Sequence, residues 1–492
     1  MEAQSTTPVA TAALKCLFND DIIPQILEKS PRQMRPEAVN QALLRIALSE
    51  LRSLVPLIRL LPSTKLVEGS YVLGGELVAS EWSRFDHYAR RVQSLTLIQG
   101  QARNANIVDP ALYLRIAEEH PEPLLPNLRI LLCFPLVTEA VLFLGPSLRS
   151  IVLHSSDTRM ACTFLASIHS KAPKVEKLKI TLQGAFTSSI YSCIAKLDKL
   201  LSLGLCWRNS PLSEYAILDA ALAGFPLKNY SIDASGEWEN DLRKHPLSLG
   251  FSTLGSVSVD GGHKFIASAV ERVKSTQIST ITIFHSGASP TAVDWNPLLG
   301  LVFHRWWSSL EVLMVDLNQS SRAVNLNTLF GALDRCNHLR EFGVYNYWPI
   351  RIADRDIEIF AQKCPRLIRV HLTAGRQLDA VAPSVSCLAY LANHCRGLAA
   401  IDISLNTIVA LPFEIPHAFR GSTALRILQI HGMLSSSANN SGEMRAVARF
   451  LDLLFPDIEY VQNVPIPDPA WKAVEAQVKK LQVARVEREL GR

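Results

Sequence analysis

Residues 354–372, DRDIEIFAQKCPRLIRVHL, carry the pattern that decides the fold. The first ten residues place apolar side chains three and four positions apart, which is the spacing of one face of an α-helix. A Cys-Pro pair then interrupts the helical pattern. After it, Leu367, Val370 and Leu372 stand in the spacing apolar-x-x-apolar-x-apolar, which predicts a short strand with these three side chains pointing inward. The stretch therefore predicts one helix followed by one strand.

The strand pattern recurs along the chain at intervals of 20 to 36 residues, with a median of 27. Its first positions are Val92, Leu128, Leu148, Val175, Leu200, Leu227, Leu254, Ile278, Leu310, Leu339, Leu367, Leu398, Leu425 and Ile458. Helix-like stretches precede several of them, for example ACTFLASIHSKAP before Val175 and SCLAYLANHCRG before Leu398. Such self-similarity at a nearly fixed period indicates a repeat architecture.

One helix and one short strand per ~27 residues fall within the leucine-rich-repeat range of roughly 20 to 29 residues. Each unit exposes apolar surface that only a neighbouring unit can cover. The predicted fold is therefore an α/β leucine-rich-repeat solenoid, a horseshoe with a parallel sheet on its concave face and helices on its convex face. A doubly wound α/β domain also alternates helix and strand. It is disfavoured because no GxGxxG or GxxxxGK[ST] loop occurs.

Composition narrows the class of protein further. The 492 residues are 48% hydrophobic and 19% charged, which excludes a mainly disordered chain. A net charge of +5 is too small at this length to favour nucleic-acid binding. The nine cysteines form no C-x-x-C pair, and the most apolar stretch, 128–144, is interrupted by Arg129 and Glu139. We therefore expect a protein of the cytoplasm or nucleus with free thiols and no membrane span.

Three helix-to-strand junctions share a cysteine three residues before a leucine, at Cys336, Cys364 and Cys395. They resemble the C-P-x-L junction of the cysteine-containing leucine-rich repeats that are common in F-box proteins. A small buried thiol suits such a crowded corner. Metal binding is the alternative, but no further ligands stand at a suitable spacing, and no metal or other cofactor is expected.

The N-terminal region differs from the array, since residues 12–62 contain no repeat. The segment Cys16–Lys29 resembles the opening of an F-box, and Ala47–Pro62 resembles the end of the F-box region in fungal F-box and repeat proteins. This resemblance implies a substrate-recognition subunit of a cullin–RING ubiquitin ligase. The residues it would place on a Skp-type adaptor are Leu17, Ile22, Ile23, Ile26 and Leu27.

The segment Ser30–Asn40 departs from the F-box pattern because it is short and polar and lacks the expected apolar helix. Two interpretations of the N-terminal region stay open. It binds the adaptor, or it is a helical cap on the first repeat of a scaffold with no ligase connection. The predicted organisation is thus an F-box-like cap at 1–70, a repeat array at 71–464 and a C-terminal helix at 465–492. Packing of that helix on the last unit is favoured over a free helix for a partner.

No motif for a nucleophile, nucleotide or metal centre is present, so we predict a binding protein and not an enzyme. The informative feature is a column of side chains six residues after each pattern start, on the predicted concave face. Acids and aromatics concentrate in its middle at Asp233, Asp260, Phe284, Asp316 and Tyr345, with Trp348 in the following loop. Aromatic anchors beside acids suit a protein segment that carries Lys or Arg. The alternative is that the aspartates cap the loops after the strands.

Overall fold

The structure is a computed structural model, and its contacts divide the chain into two compact units, Met1–Ser210 and Pro211–Arg492. The residues that it describes are 49–98, 107–120, 123–184, 186–207, 225–234, 251–286, 295–317, 324–325, 333, 336–345, 350–373, 383–405, 422, 424–431, 441–464 and 469–491.

The first unit alternates strands with helices. Its strands are β1 (Glu50–Leu51), β2 (Thr64–Val67), β3 (Ser70–Leu73), β4 (Ser94–Ile98), β5 (Ile107–Val108), β6 (Ile130–Phe134), β7 (Ser150–Ser155), β8 (Lys177–Leu182) and β9 (Ser202–Trp207). Its helices are α1 (Val55–Ile58), α2 (Ala79–Ala89), α3 (Pro110–Glu119), α4 (Thr158–Lys171) and α5 (Ser188–Ile194), with a 3₁₀ helix at Thr138–Phe143. Strands β1, β4, β6, β7, β8 and β9 pair in that order, all parallel. Strands β2, β3 and β5 form a separate small sheet.

The second unit continues the same alternation. Its strands are β10 (Asn229–Ala234), β11 (Ser256–Gly261), β12 (Thr280–His285), β13 (Val312–Asp316), β14 (Val324–Asn325), β15 (Glu341–Tyr345), β16 (Ile350–Arg351), β17 (Arg369–Thr373), β18 (Ala400–Ser404), β19 (Ile427–His431) and β20 (Tyr460–Asn463). Its helices are α6 (His263–Arg272), α7 (Asn296–Trp306), α8 (Asp354–Lys363), α9 (Cys387–His394), α10 (Ser441–Leu454) and α11 (Pro469–Glu489). Nine strands pair as a parallel sheet in chain order, and β14 pairs separately with β16.

The strands of both sheets bury every second side chain. In β17, for example, Val370 and Leu372 are buried, whereas Arg369 is exposed. The buried side chains meet the helices, as Phe342 of β15 does when its ring lies 5.0 Å from that of Phe360 in α8. The other side of each sheet, here called the open face, carries the alternate side chains. Parallel strands in chain order, one per repeat, with helices in most of the described connections between them, make this fold a leucine-rich-repeat solenoid.

The repeat pattern predicted the strands correctly. Each of the fourteen pattern starts is buried and lies two residues before a strand, from Val92 before β4 to Ile458 before β20. The helices expected before Val175, Leu367 and Leu398 are α4, α8 and α9. Six strands were not predicted, namely β1, β2, β3, β5, β14 and β16. Strands β1, β5, β14 and β16 have two residues each, too few to show an alternating pattern.

Two smaller expectations are also confirmed. The thiols of Cys336, Cys364 and Cys395 are fully buried at the helix-to-strand corners. Helix α11 begins at Pro469 and buries Trp471, Val474 and Val478, so its first half packs on the unit as favoured. Its last turns differ, since Val483, Val486 and Leu490 are more than half exposed. Within the described ranges, no helix is both long and apolar enough to cross a membrane.

Candidate protein-binding surface on the second unit

Five of the predicted concave side chains lie in one row across five neighbouring strands. The parallel register sets Asp233 opposite Asp260, and Asp260 opposite Phe284. It then sets Phe284 opposite Asp316, and Asp316 opposite Tyr345. At the usual strand spacing of about 4.8 Å, this acidic–aromatic row spans roughly 19 Å of the open face. Trp348 lies outside the described residues.

The carboxyl group of Asp260 is held in an unfavourable environment. The pKa of this group is raised to about 6, mainly by burial, with the charges of Asp233 and Asp316 acting in the same direction and the side chain of Ser286 opposing the shift. Burial and two like charges therefore oppose the ionisation of Asp260. A cation placed over the row would remove this penalty, because opposite charge favours the ionised form of a carboxyl group.

Tyr345 ends the acidic–aromatic row and connects it to a second group of polar side chains. Its ring centroid lies 5.5 Å from that of His371 on the next strand. Burial raises the pKa of the Tyr345 hydroxyl to about 12, and the charges of Asp402, Asp316 and Glu341 act in the same direction. The phenol thus stays protonated and can donate a hydrogen bond to a ligand.

Asp402 binds two histidines from the strands on either side of it. His371 Nδ1 lies 3.4 Å from Asp402 Oδ2, and His431 Nε2 lies 2.7 Å from Asp402 Oδ1. The side chain of Asp402 is only 13% exposed. Burial alone would raise its pKa, but the hydrogen bonds and charges of the two histidines lower it below the ordinary value. This His–Asp–His bridge fixes three open-face side chains beside Tyr345.

Sequence reasoning did not predict the His–Asp–His bridge. His371 and His431 each lie about one repeat from Asp402, 31 and 29 residues away along the chain. The signal was nonetheless present, since all three residues occupy outward positions of the strands β17, β18 and β19. Comparing outward positions between adjacent repeats would have found the acid between two bases.

The structure does not describe the other predicted site, the adaptor-binding one. The proposed adaptor contacts, Leu17, Ile22, Ile23, Ile26 and Leu27, are outside the described residues. Among the residues that are described, no cluster of three or more His, Cys, Asp or Glu side chains could hold a metal ion. The open face of the second unit carries a row of acidic and aromatic side chains at one register position of five strands.

Comparisons with known proteins add little to this description. No family model matches the chain, and no curated protein matches it. Among solved structures, Rad7 from the complex of yeast Rad7 and Elc1 aligns with 12% identity and a TM-score of 0.38, covering 72% of this chain and 82% of that one. An internalin from Listeria monocytogenes aligns with 14% identity and a TM-score of 0.31, covering 68% of this chain and 86% of that one. With TM-scores this low, neither similarity carries an argument, and the fold assignment rests on the strand order and register described above.

Proposed function

We propose that the protein is a non-catalytic receptor that binds a basic polypeptide segment on the open face of its second unit. The observation that carries this proposal is the register, which sets three aspartates and two aromatic rings in one row of five strands. Repeat proteins present such rows because every unit contributes one side chain at the same height.

The charge of the row favours a ligand that carries Lys or Arg. A cation that approaches Asp260 stabilises its ionised carboxyl group, because burial and two neighbouring acids oppose that ionisation in the free protein. The rings of Phe284 and Tyr345 supply apolar area beside the acids, and aromatic residues are frequent anchors of protein interfaces. A row of roughly 19 Å accommodates an extended segment of about six residues at ~3.3 Å each.

Partners are first isolated by affinity purification of the full-length protein followed by mass spectrometry. The segment bound by the row is then identified with synthetic peptides that cover each partner. Tyr345→Ala should raise the dissociation rate of that segment, because it removes buried apolar area. Asp260→Asn should mainly slow association, since steering depends on charge. Tyr460→Ala and Asp198→Asn are matched controls, because both residues are exposed and lie outside the row.

The pH dependence gives a second readout. A bound cation lowers the pKa of Asp260, so binding of a basic segment releases a proton where the free carboxyl group is protonated. Affinity should therefore weaken as pH falls through about 6, and Asp260→Asn should reduce that dependence. If neither row variant changes the binding of any purified partner, the row is not the site.

The finer role that we propose is substrate recognition in a cullin–RING ubiquitin ligase. It is supported by the resemblance of Cys16–Lys29 and Ala47–Pro62 to an F-box, which would dock on a Skp-type adaptor. A receptor of this kind raises the local concentration of its substrate near the ligase. The short polar segment Ser30–Asn40 favours the second candidate, a repeat scaffold with no adaptor.

Pull-down with a purified Skp-type adaptor separates the two candidates. The full-length protein should retain the purified adaptor, and Ile22→Asp combined with Ile26→Asp should abolish that binding. Tyr345→Ala should leave the adaptor bound, because it lies on the second unit. Absence of the adaptor from the full-length protein would remove the ligase role and leave the receptor proposal standing.

A further inference from the structure

The open face of the first unit exposes an apolar patch. Ile98, Ile130 and Phe134 are 45%, 41% and 37% exposed, and contiguous exposed apolar side chains mark interaction sites. Ile98 stands opposite Phe134 in the strand register, and Leu132 stands opposite half-buried Val152. These side chains, here called the apolar patch, cover three strands, or about 10 Å across and about 13 Å along the strands.

Two lysines border the apolar patch on the next strand. Lys177 stands opposite Ser150, and Lys179 stands opposite Val152, so both project from the open face of β8. The small residue Gly204 makes room for Lys179, because a Cβ at that position would come within 3.1 Å of Lys179 Cγ.

The charges of these lysines are not neutralised within the face. Neither ammonium group makes an ion pair or hydrogen bond with any residue that the structure describes, whereas nearby Arg149 pairs with Glu176 at 3.6 Å. The outward positions of β4, β6, β7, β8 and β9 carry no carboxylate. The apolar patch is thus bordered on one side by uncompensated positive charge.

We propose that this face is a docking surface for a partner segment that carries apolar side chains next to carboxylates. The apolar patch would bury the apolar side chains, and Lys177 and Lys179 would bind the carboxylates. This surface is separate from the basic-segment site proposed above, because it lies on other strands and selects the opposite charge.

The test uses the full-length protein and a phage-displayed library of random peptides. Selection on the wild-type protein should enrich peptides that combine apolar residues with Asp or Glu. Phe134→Ser should weaken binding of these peptides about tenfold or more, a difference of about 1.4 kcal/mol. The double variant Lys177→Glu and Lys179→Glu should enrich apolar peptides with Lys or Arg instead, because the charge preference is reversed.

Three controls make the outcome specific. Leu114→Ser removes an apolar side chain that is 62% exposed on helix α3 and should leave peptide affinity unchanged. Asp260→Asn should also leave it unchanged, which separates this surface from the row on the second unit. Thermal unfolding of the Phe134→Ser variant should match the wild type, since the ring is already exposed.

The proposal is overturned if no acidic apolar peptides are enriched, or if they bind Phe134→Ser as tightly as wild type. It is also overturned if the protein self-associates in sedimentation velocity and Phe134→Ser abolishes that association. In that case the occupant of the apolar patch is a second copy of this chain.

Discussion

The open faces of the two units differ in chemistry although one strand pattern builds both. The first presents Ile98, Ile130 and Phe134 beside lysines. The second presents Asp233, Asp260 and their neighbours in the acidic–aromatic row, followed by the His–Asp–His bridge. On both units the inward positions hold mostly apolar side chains, because they pack in the core, and buried Ser155 and His285 are exceptions at strand ends. The difference teaches that the fold is encoded by the inward positions and that the outward ones are free to specify partners.

The largest expected effect on stability comes from placing a charge at an inward position of one strand. Val370 is fully buried and Arg369 next to it is exposed. Val370→Asp should lower the free energy of unfolding by about 4 kcal/mol, because it buries an unpaired charge. Arg369→Asp should change it by less than about 1 kcal/mol, since surface charges contribute little. Thermal unfolding of both variants decides the matter, and equal tolerance would show that the register is wrong.

The C-terminal helix α11 offers the same contrast with a smaller effect. Val474 is buried against the unit, whereas Val486 is 51% exposed. Val474→Ser should destabilise the protein by about 2 kcal/mol, because it removes buried apolar area and buries a hydroxyl group. Val486→Ser should have no measurable effect in chemical denaturation. A comparable loss in both variants would mean that the exposed turns of α11 are covered by another molecule.

The His–Asp–His bridge should stabilise the second unit in a pH-dependent way. The pKa of Asp402 is lowered in the folded state, so its contribution is present above the ordinary value of 3.8 and is lost as pH falls through the folded pKa. Asp402→Asn should therefore lower the free energy of unfolding by about 1 kcal/mol at pH 7, and by progressively less as pH falls below 3.8. The exposed Asp198→Asn is the control at each pH. A loss that did not diminish as pH falls below 3.8 would contradict an ionic origin.

Replacement of Asp260 in the acidic–aromatic row should change stability by a similar amount with the opposite sign. The pKa of Asp260 is raised from 3.8 to about 6, so ionisation above pH 6 destabilises the fold, and below pH 4 this penalty disappears. Allowing for partial solvent screening, Asp260→Asn should raise the free energy of unfolding by about 1 kcal/mol at pH 7. Urea unfolding at pH 7 and below pH 4 measures the difference. A destabilised Asp260→Asn variant would favour the alternative that this aspartate caps its loop.

The fold followed from the sequence because a solenoid repeats one local rule. Each of the fourteen pattern starts, from Val92 to Ile458, is buried two residues before a strand, so the spacing of the pattern predicts fourteen strands of the solenoid. The acidic–aromatic row followed for the same reason, since equal offsets from buried leucines become neighbours in a parallel register. Strand β1 was not predicted, because two residues are too few to show a periodic pattern.

The parts that could not be predicted depend on more than one repeat at a time. The hydrogen bonds of Asp402 arise from outward positions on three strands, and apolar patterning says nothing about which polar side chains meet across them. The same holds for the first unit. Phe134 lies six residues after its pattern start, in the predicted column, whereas Ile130 and Lys179 lie nearer the starts of their strands. The chemistry of a repeat surface therefore depends on which side chains are neighbours across adjacent strands as well as along each strand.

The three buried thiols at the repeat corners also allow the unfolding of the second unit to be followed by chemical labelling. Burial raises the pKa of Cys336 to about 11 and that of Cys395 to about 12, and it raises that of Cys364 as well. An alkylating reagent attacks the thiolate, so each cysteine is labelled only after its own corner opens to water. Because the three residues stand in successive repeats, the sequence in which they react records the direction in which the array melts. Loss of structure from the C-terminal end would mark Cys395 first, then Cys364, and Cys336 last.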